Sequence, residues 1–224
     1  MMAANMEAEK GAFTAEGFRQ RAQARALPLL DFAAMTADRA GLRGDHDAEG
    51  GLMMDVAPDS YRLAAVLIPV IDRPGEPTVL LTRRAEHLAS HAGQIAFPGG
   101  KKSEEDATIL DTALREAEEE IGLAPGLVQP VGRLDTYHTG TGFRIVPILG
   151  VVSPGFVLTP DASEVADIFE APLAFLMDAA NHQRHSRHWQ GRQRFFYAIP
   201  FGEHYIWGAT AGILRIMYER LYAG

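Results

Sequence analysis

Glu116, Glu119 and Glu120 stand at three- and four-residue spacing in "REAEEEIGL", residues 115–123. On a helix, at 100° per residue, the three fall within an arc of roughly 100°, so their carboxylates converge on one side. Like charges at this spacing destabilise an isolated helix by about 0.2–0.5 kcal/mol per pair, and at its C-terminal end the helix dipole disfavours anions as well. A hard divalent cation removes that penalty: Mg²⁺ takes oxygen ligands, keeps several waters and is shared between carboxylates and substrate phosphates. The alternative reading of a bare "EAEEE" is an acidic, solvated helix face.

The elements that must position these residues are legible around them. "ATILDTALREAEEEI" is rich in helix formers and ends at Gly122, a natural C′ residue. Ser103 followed by Asp106 resembles a capping box and predicts where the helix starts. Leu110, Ala113, Leu114, Ala117 and Ile121 form the apolar stripe beside the acidic arc. Upstream, the glycine-rich turn "PGG" at 98–100 leads in from two β-rich runs, "YRLAAVLIPVI" and "PTVLLTRRA", separated by "DRPGEP". Downstream, "VQPVGRLDTYHT", "FRIVPILGVVS", "FEAPLAFLMDA" and "RQRFFYAIPF" read as mixed strands with one short helix. "IWGATAGILRIMYERLYA" reads as a closing helix with Ile206, Ile213, Leu214, Met217 and Leu221 on its apolar face. These elements predict a mixed α/β or α+β layered domain.

Composition excludes several classes. The 224 residues contain no cysteine, which removes disulfides, thiol nucleophiles and thiolate metal sites and leaves oxygen or imidazole as metal ligands. A formal net charge of −8 argues against general nucleic-acid binding, which needs a phosphate-neutralising surplus of Lys and Arg. The charged start "MEAEKGAFTAEGFRQRAQAR" does not resemble a secretory signal, and "LAAVLIPVI" is too short to span a bilayer. A cytoplasmic protein without membrane association is expected. Its 47% hydrophobic content suits one globular unit with extensions, divided as an N-terminal extension at 1–59 and a main domain at 60–224. In the extension the first dozen residues read as disordered, "TAEGFRQRAQARAL" as a short helix capped by Thr14, and residues 36–60 as a linker or packing arm.

"PGG" at 98–100, Asp106 and "REAEEEIGL" at 115–123 resemble the Nudix box, the signature of Nudix hydrolases. The family glutamate six residues after the second glycine is Asp106 here, and eight residues rather than seven separate it from Arg115. Those departures look like the branch of the family that hydrolyses coenzyme A. "LLTRRAEHLASHAGQIAFPGG", residues 80–100, is similar to the coenzyme A signature of that branch, with Arg84, His91, Gly93, Gln94 and Phe97 as matching substrate-binding positions and Ala89 where the signature carries an arginine. The likeness extends over roughly residues 60–216.

The resemblance implies a Nudix α/β/α sandwich with a mixed sheet between helices, an N-terminal helical extension, and Mg²⁺ or Mn²⁺ as cofactor. It implies Glu116 and Glu120 as the main metal ligands, Glu119 as a third, and backbone carbonyls around Gly99 and Gly100 completing the shell. Arg115 is expected to orient a glutamate, Asp106 to brace the loop or touch the metal, and either Glu164 or Glu119 to act as general base. The implied reaction is hydrolysis of the pyrophosphate in coenzyme A or its thioesters to 4′-phosphopantetheine and adenosine 3′,5′-bisphosphate. A Nudix hydrolase of ADP-ribose or a dinucleotide, and a non-catalytic nucleotide-binding module, are the alternatives. The partner is thus a small coenzyme A-like nucleotide, and a homodimer is left open.

His182, His185 and His188 invite a zinc hypothesis, but without acidic or cysteine partners "NHQRHSRHWQGRQRFF" reads as a solvated basic loop whose arginines attract a polyphosphate. "TYHTGTGF" suits a substrate loop or an ordinary connection. Trp189 and Trp207 read as packing residues.

Overall fold

Residues Arg62–Ile71 are apolar at nearly every position because this strand is buried on both faces. The computed structural model describes residues 13–32, 43–44, 47–48, 61–189 and 192–223. In chain order the elements are α1 (Ala15–Arg25), β1 (Arg43–Gly44), β2 (Arg62–Ile71), β3 (Thr78–Arg84), β4 (Ile95–Ala96), β5 (Gly99–Lys101), α2 (Ile109–Ile121), β6 (Val128–Arg133), β7 (Tyr137–His138), β8 (Phe143–Val152), β9 (Val165–Pro172), α3 (Leu173–Leu176), β10 (Gln183–Trp189), β11 (Arg192–Phe201), β12 (His204–Trp207) and α4 (Ala209–Leu221). The main sheet is mixed, ordered β1-β7-β8-β2-β3-β4, with β5 on β2, β6 on β8 and β9 on β3. At its centre β2 and β8 run parallel from Arg62 opposite Phe143 to Ile71 opposite Val152.

The two-residue period of a strand divides the core. Ala65, Leu67 and Ile71 on β2, Leu80 on β3, and Val146, Ile148 and Val152 on β8 meet Ile109, Ala113, Ala117 and Ile121 of α2. The alternate residues Ile68, Val70, Val79, Leu81, Leu149 and Val151 meet Ile213, Leu214, Met217 and Leu221 of α4, together with Phe18 and Ala22 of α1. The result is the expected α/β/α sandwich, α2 on one face of the sheet and α1 with α4 on the other. α1 begins where Thr14 accepts the Gly17 N–H at 2.9 Å, and it belongs to this core through the fully buried Phe18. No helix among the described residues is long and apolar enough to cross a membrane. The first dozen residues, and most of the stretch read as a linker at 36–60, lie outside the described residues.

Three local readings are corrected. The acidic helix is capped by Thr108, not by Ser103: the Thr108 hydroxyl accepts the Asp111 N–H at 3.2 Å and the Asp111 carboxylate accepts the Thr108 N–H at 2.8 Å, a capping box five residues later. Asp106 accepts the Ser103 N–H, but in the loop ahead of the helix, where Thr112 and Arg115 also hold its carboxylate. The closing helix starts at Ala209, since Gly208 at φ 64° breaks the chain direction and leaves Ile206 and Trp207 on a strand. The basic stretch 183–189 is not a loop but β10, paired with β11 and followed by β12 in a separate three-stranded antiparallel sheet.

Candidate active site

A cavity of about 830 Å³ opens where β5 meets the acidic helix, lined by Gly99, Gly100, Glu116 and Glu120 on one side. Glycine is required in this wall. A Cβ on Gly100 would lie 2.3 Å from the Glu116 carboxylate, and one on Gly99 2.3 Å from the Ala65 carbonyl oxygen. β5 therefore approaches α2 closely enough for backbone groups and carboxylates to share one small volume. Gly100→Ala is expected to lower turnover at least about tenfold, with a smaller effect on the melting temperature. Normal kinetics in that variant would show that the Glu116 position is not critical.

Glu120 is only 5% exposed. One oxygen accepts the Gly99 N–H at 3.2 Å and the other lies 4.0 Å from the Arg84 guanidinium. Burial, reinforced by the charges of Glu164 and Glu116 and opposed by the Gly99 hydrogen bond and Arg84, pushes its carboxyl up to about 8. Glu116 is raised in the same direction, again chiefly by burial, against the opposing pull of Arg115. The buried Glu120 carboxylate and the half-buried Glu116 carboxylate, one turn apart, form a hard-oxygen donor set, the chemistry that Mg²⁺ or Mn²⁺ accepts. Among the described residues, no three Asp, Glu or His side chains are gathered into a ready metal cage. The hydrogen bonds explain that spacing: Glu116 turns toward Arg115 and Glu120 toward the Gly99 amide. A cation held by two carboxylates, water and substrate phosphate needs no three-residue cage, so the residues fit a divalent metal.

Glu119 differs from its neighbours. Its side chain is 59% exposed, held by Arg115 at 2.9 Å, and it lies outside the cavity lining. Arg115 sits beside the acidic arc at the helix surface, yet its long side chain reaches back. It bonds both Asp106 oxygens at 2.9 and 3.1 Å, the Lys101 carbonyl at 3.1 Å, and Glu116 at 3.0 Å. Asp106 also accepts the Ser103 N–H and the Thr112 hydroxyl, each at 2.8 Å. These bonds, Arg115 foremost, hold its carboxyl down at about 2.

Glu164 precedes β9, is exposed and lines the same cavity as Glu116 and Glu120. Arg84 at the end of β3, paired with Val165 beside Glu164, lines the cavity together with His91, Gln94 and Phe97 from the segment that follows. His91 takes φ 60° and its Nδ1 meets the Gln94 side chain at 2.9 Å. The Arg84 Nε is buried without a hydrogen-bond partner, while the side chain as a whole is about a quarter exposed and lines the cavity. Gly93 supports the turn from outside the cavity: its φ of 67° is a backbone conformation that side-chain-bearing residues rarely adopt. Tyr137, Thr139, Gly140 and Thr141, from the stretch read as either a substrate loop or a connection, also line the cavity.

The sequence reading expects the arginines of 183–194 to attract a polyphosphate, but it gives Phe196 and Trp207 no place in the site. Phe196 and Trp207 come from the small sheet and line the cavity together with Arg187 and Arg194. Alternation along β11 and β12 was the available signal, obscured by assigning Trp207 to a helix. The histidines give no zinc centre: His182 is buried with Nε2 2.7 Å from the Leu176 carbonyl, and His185 meets Gln183 at 2.9 Å. Three-residue spacing also sends His185 and His188 to opposite faces of β10.

A family model described as the NUDIX domain matches residues 61–191. The chain is 41% identical over 160 residues to proteins called "Uncharacterized Nudix hydrolase NudL" from Yersinia pestis and Yersinia pseudotuberculosis, covering 71% of this chain and 80% of theirs. Among solved structures, a MutT/nudix family protein from Enterococcus faecalis aligns over 85% of this chain and 73% of that one, at 14% identity and a TM-score of 0.46. A C. elegans Ap4A hydrolase aligns over 50% of this chain and 80% of that one, at 17% identity and a TM-score of 0.43.

Proposed function

Because the chain belongs to the Nudix family, hydrolases that cleave phosphoric anhydrides of small nucleotide-type molecules with the help of divalent metal, we propose that its substrate is coenzyme A or a coenzyme A derivative. The observation that carries this reading is one cavity shared by the carboxylates Glu116 and Glu120 and by Arg84, His91, Gln94 and Phe97, the last four being positions that resemble the coenzyme A signature. Glu116 and Glu120 would hold Mg²⁺ or Mn²⁺, with the Gly100 carbonyl nearby; when bound, the ion supplies neutralisation of phosphate charge and acidification of water.

The chain's own residues supply the rest. Arg84, whose partly exposed side chain lines the cavity, offers its guanidinium to a non-bridging phosphate oxygen. Arg115 holds Glu116 by a 3.0 Å ion pair and acts as a positioning residue. Glu164 accepts a proton from the attacking water in this reading, supported by its being exposed and lining the cavity, and it is preferred over Glu119, which lies outside the lining. Water adds to one phosphorus, the bridging P–O bond breaks, and the products are 4′-phosphopantetheine and adenosine 3′,5′-bisphosphate.

A second reading is hydrolysis of another nucleoside diphosphate derivative such as ADP-ribose. It is favoured by Ala89, which is exposed and lies outside the cavity lining where the signature carries an arginine. Mass spectrometry of products after incubation with coenzyme A and, separately, ADP-ribose separates the two, in Mg²⁺, in Mn²⁺ and in chelator. Metal-dependent appearance of 4′-phosphopantetheine is expected. ADP-ribose cleaved beside intact coenzyme A would discard the substrate, and cleavage of neither would favour a binding module.

A further inference from the structure

β10 and β11 pair so that Arg187 lies directly opposite Arg194. Directly opposite residues on paired strands carry their side chains close together on one face, so two guanidinium groups stand side by side there. The same face of the sheet continues through Phe196 to Trp207, which stands opposite Ala198. Phe196 meets the Trp207 ring edge-on with centroids 5.7 Å apart, and the Arg187 guanidinium lies 5.2 Å from that ring's centroid. All four side chains line the cavity that holds Glu116, Glu120 and Glu164. In a chain of net charge −8, the cavity therefore has an acidic wall suited to a cation and, on a different sheet, a basic aromatic wall suited to an anion carrying a flat ring.

We propose that Arg187 and Arg194 form a subsite for a phosphate remote from the scissile linkage, with the base of the same nucleotide placed against Trp207. Guanidinium forks match phosphate oxygens in pairs, and an indole face accepts a purine without reading its edge. The inference rests on the coenzyme A reading, in which the remote phosphate is the 3′-phosphate of the adenosine half. It also assigns a basic group to that phosphate in a protein whose residue 89 is alanine.

The test is calorimetric titration of the full chain in Mg²⁺ buffer with adenosine 3′,5′-bisphosphate and with 5′-AMP. Wild type is expected to prefer the bisphosphate about tenfold. Arg187→Gln combined with Arg194→Gln should bring that preference close to one, Arg187→Lys with Arg194→Lys should keep part of it, and Trp207→Leu should weaken both nucleotides. Equal binding of the two nucleotides by wild type, or a preference that survives the double Gln variant, overturns the subsite. Turnover by wild type is read separately: failure to cleave coenzyme A removes the coenzyme A reading, while the bisphosphate preference still decides the subsite.

Discussion

Glu120→Gln is expected to lower turnover by at least about 10²-fold and, in chelator at pH 8, to raise the melting temperature. The two effects have one origin. Glu120 is 5% exposed, with one backbone N–H as its close donor and Glu116 and Glu164 as like-charged neighbours. In the metal-free protein its charged form is therefore unfavourable. The sign follows from the raised carboxyl: its contribution to stability is fully present below its unfolded value of 4.5 and is lost as pH rises through about 8. The loss is on the order of a few kcal/mol, at roughly 2–4 °C per kcal/mol for a chain of this size. Glutamine keeps the shape and the Gly99 contact without the charge, so the variant should melt higher than wild type at pH 8 and show less decline between pH 5 and 8. Mg²⁺ should raise the wild-type melting temperature and leave the variant's nearly unmoved. A variant that melts below wild type in chelator at pH 8 would mean that the buried charge is not costly, and one that turns over near normally, or is stabilised by Mg²⁺ as much as wild type, would remove Glu120 from the metal-holding role.

Much of this site was legible because the chemistry sits on one helix. Once "REAEEEIGL" was read at 100° per residue, Glu116 and Glu120 fell together without knowledge of the fold, and Gly122 marked the helix end, as its φ of 70° bears out. Strands β2, β3 and β8 were visible as apolar runs because both their faces are buried. Periodicity alone did not separate the three glutamates. Burial of Glu120 and exposure of Glu119 follow from a stripe rotated toward Ile109, Thr112 and Ala113, which depends on how α2 lies on β2. The basic wall was hidden for a different reason. Its residues alternate along β10 and β11, but glycine, histidine and arginine give that stretch a loop-like composition, and only pairing brings Arg187 opposite Arg194. The helix start was misplaced because Asp106 has the residue type of a cap but spends its carboxylate on Arg115, a partner nine positions away.

That pair sets the second large effect. Asp106 has a side chain only 3% exposed, bound by both arms of the Arg115 guanidinium. Arg115→Ala should leave a buried carboxylate without its cation and destabilise the fold by about 2–4 kcal/mol, while turnover falls roughly tenfold or more as Glu116 loses its 3.0 Å partner. Arg115→Lys should fall between, because an ammonium lacks the fork that reaches Asp106, the Lys101 carbonyl and Glu116 together. Asp106→Asn should reveal the pair through pH. The Asp106 carboxyl is depressed from 3.8 to about 2, so its stabilisation, about 2 kcal/mol, is present above 3.8 and lost as pH falls through about 2. Wild type should therefore lose stability across that acid window more steeply than Asp106→Asn. Chemical denaturation of wild type, Asp106→Asn, Arg115→Ala and the double variant closes the cycle. Coupling of about 1–3 kcal/mol is expected for groups in direct contact. Additive losses and parallel acid limbs would mean that Arg115 supports the helix only by packing, and that Glu116 is positioned by the close approach of Gly100 instead.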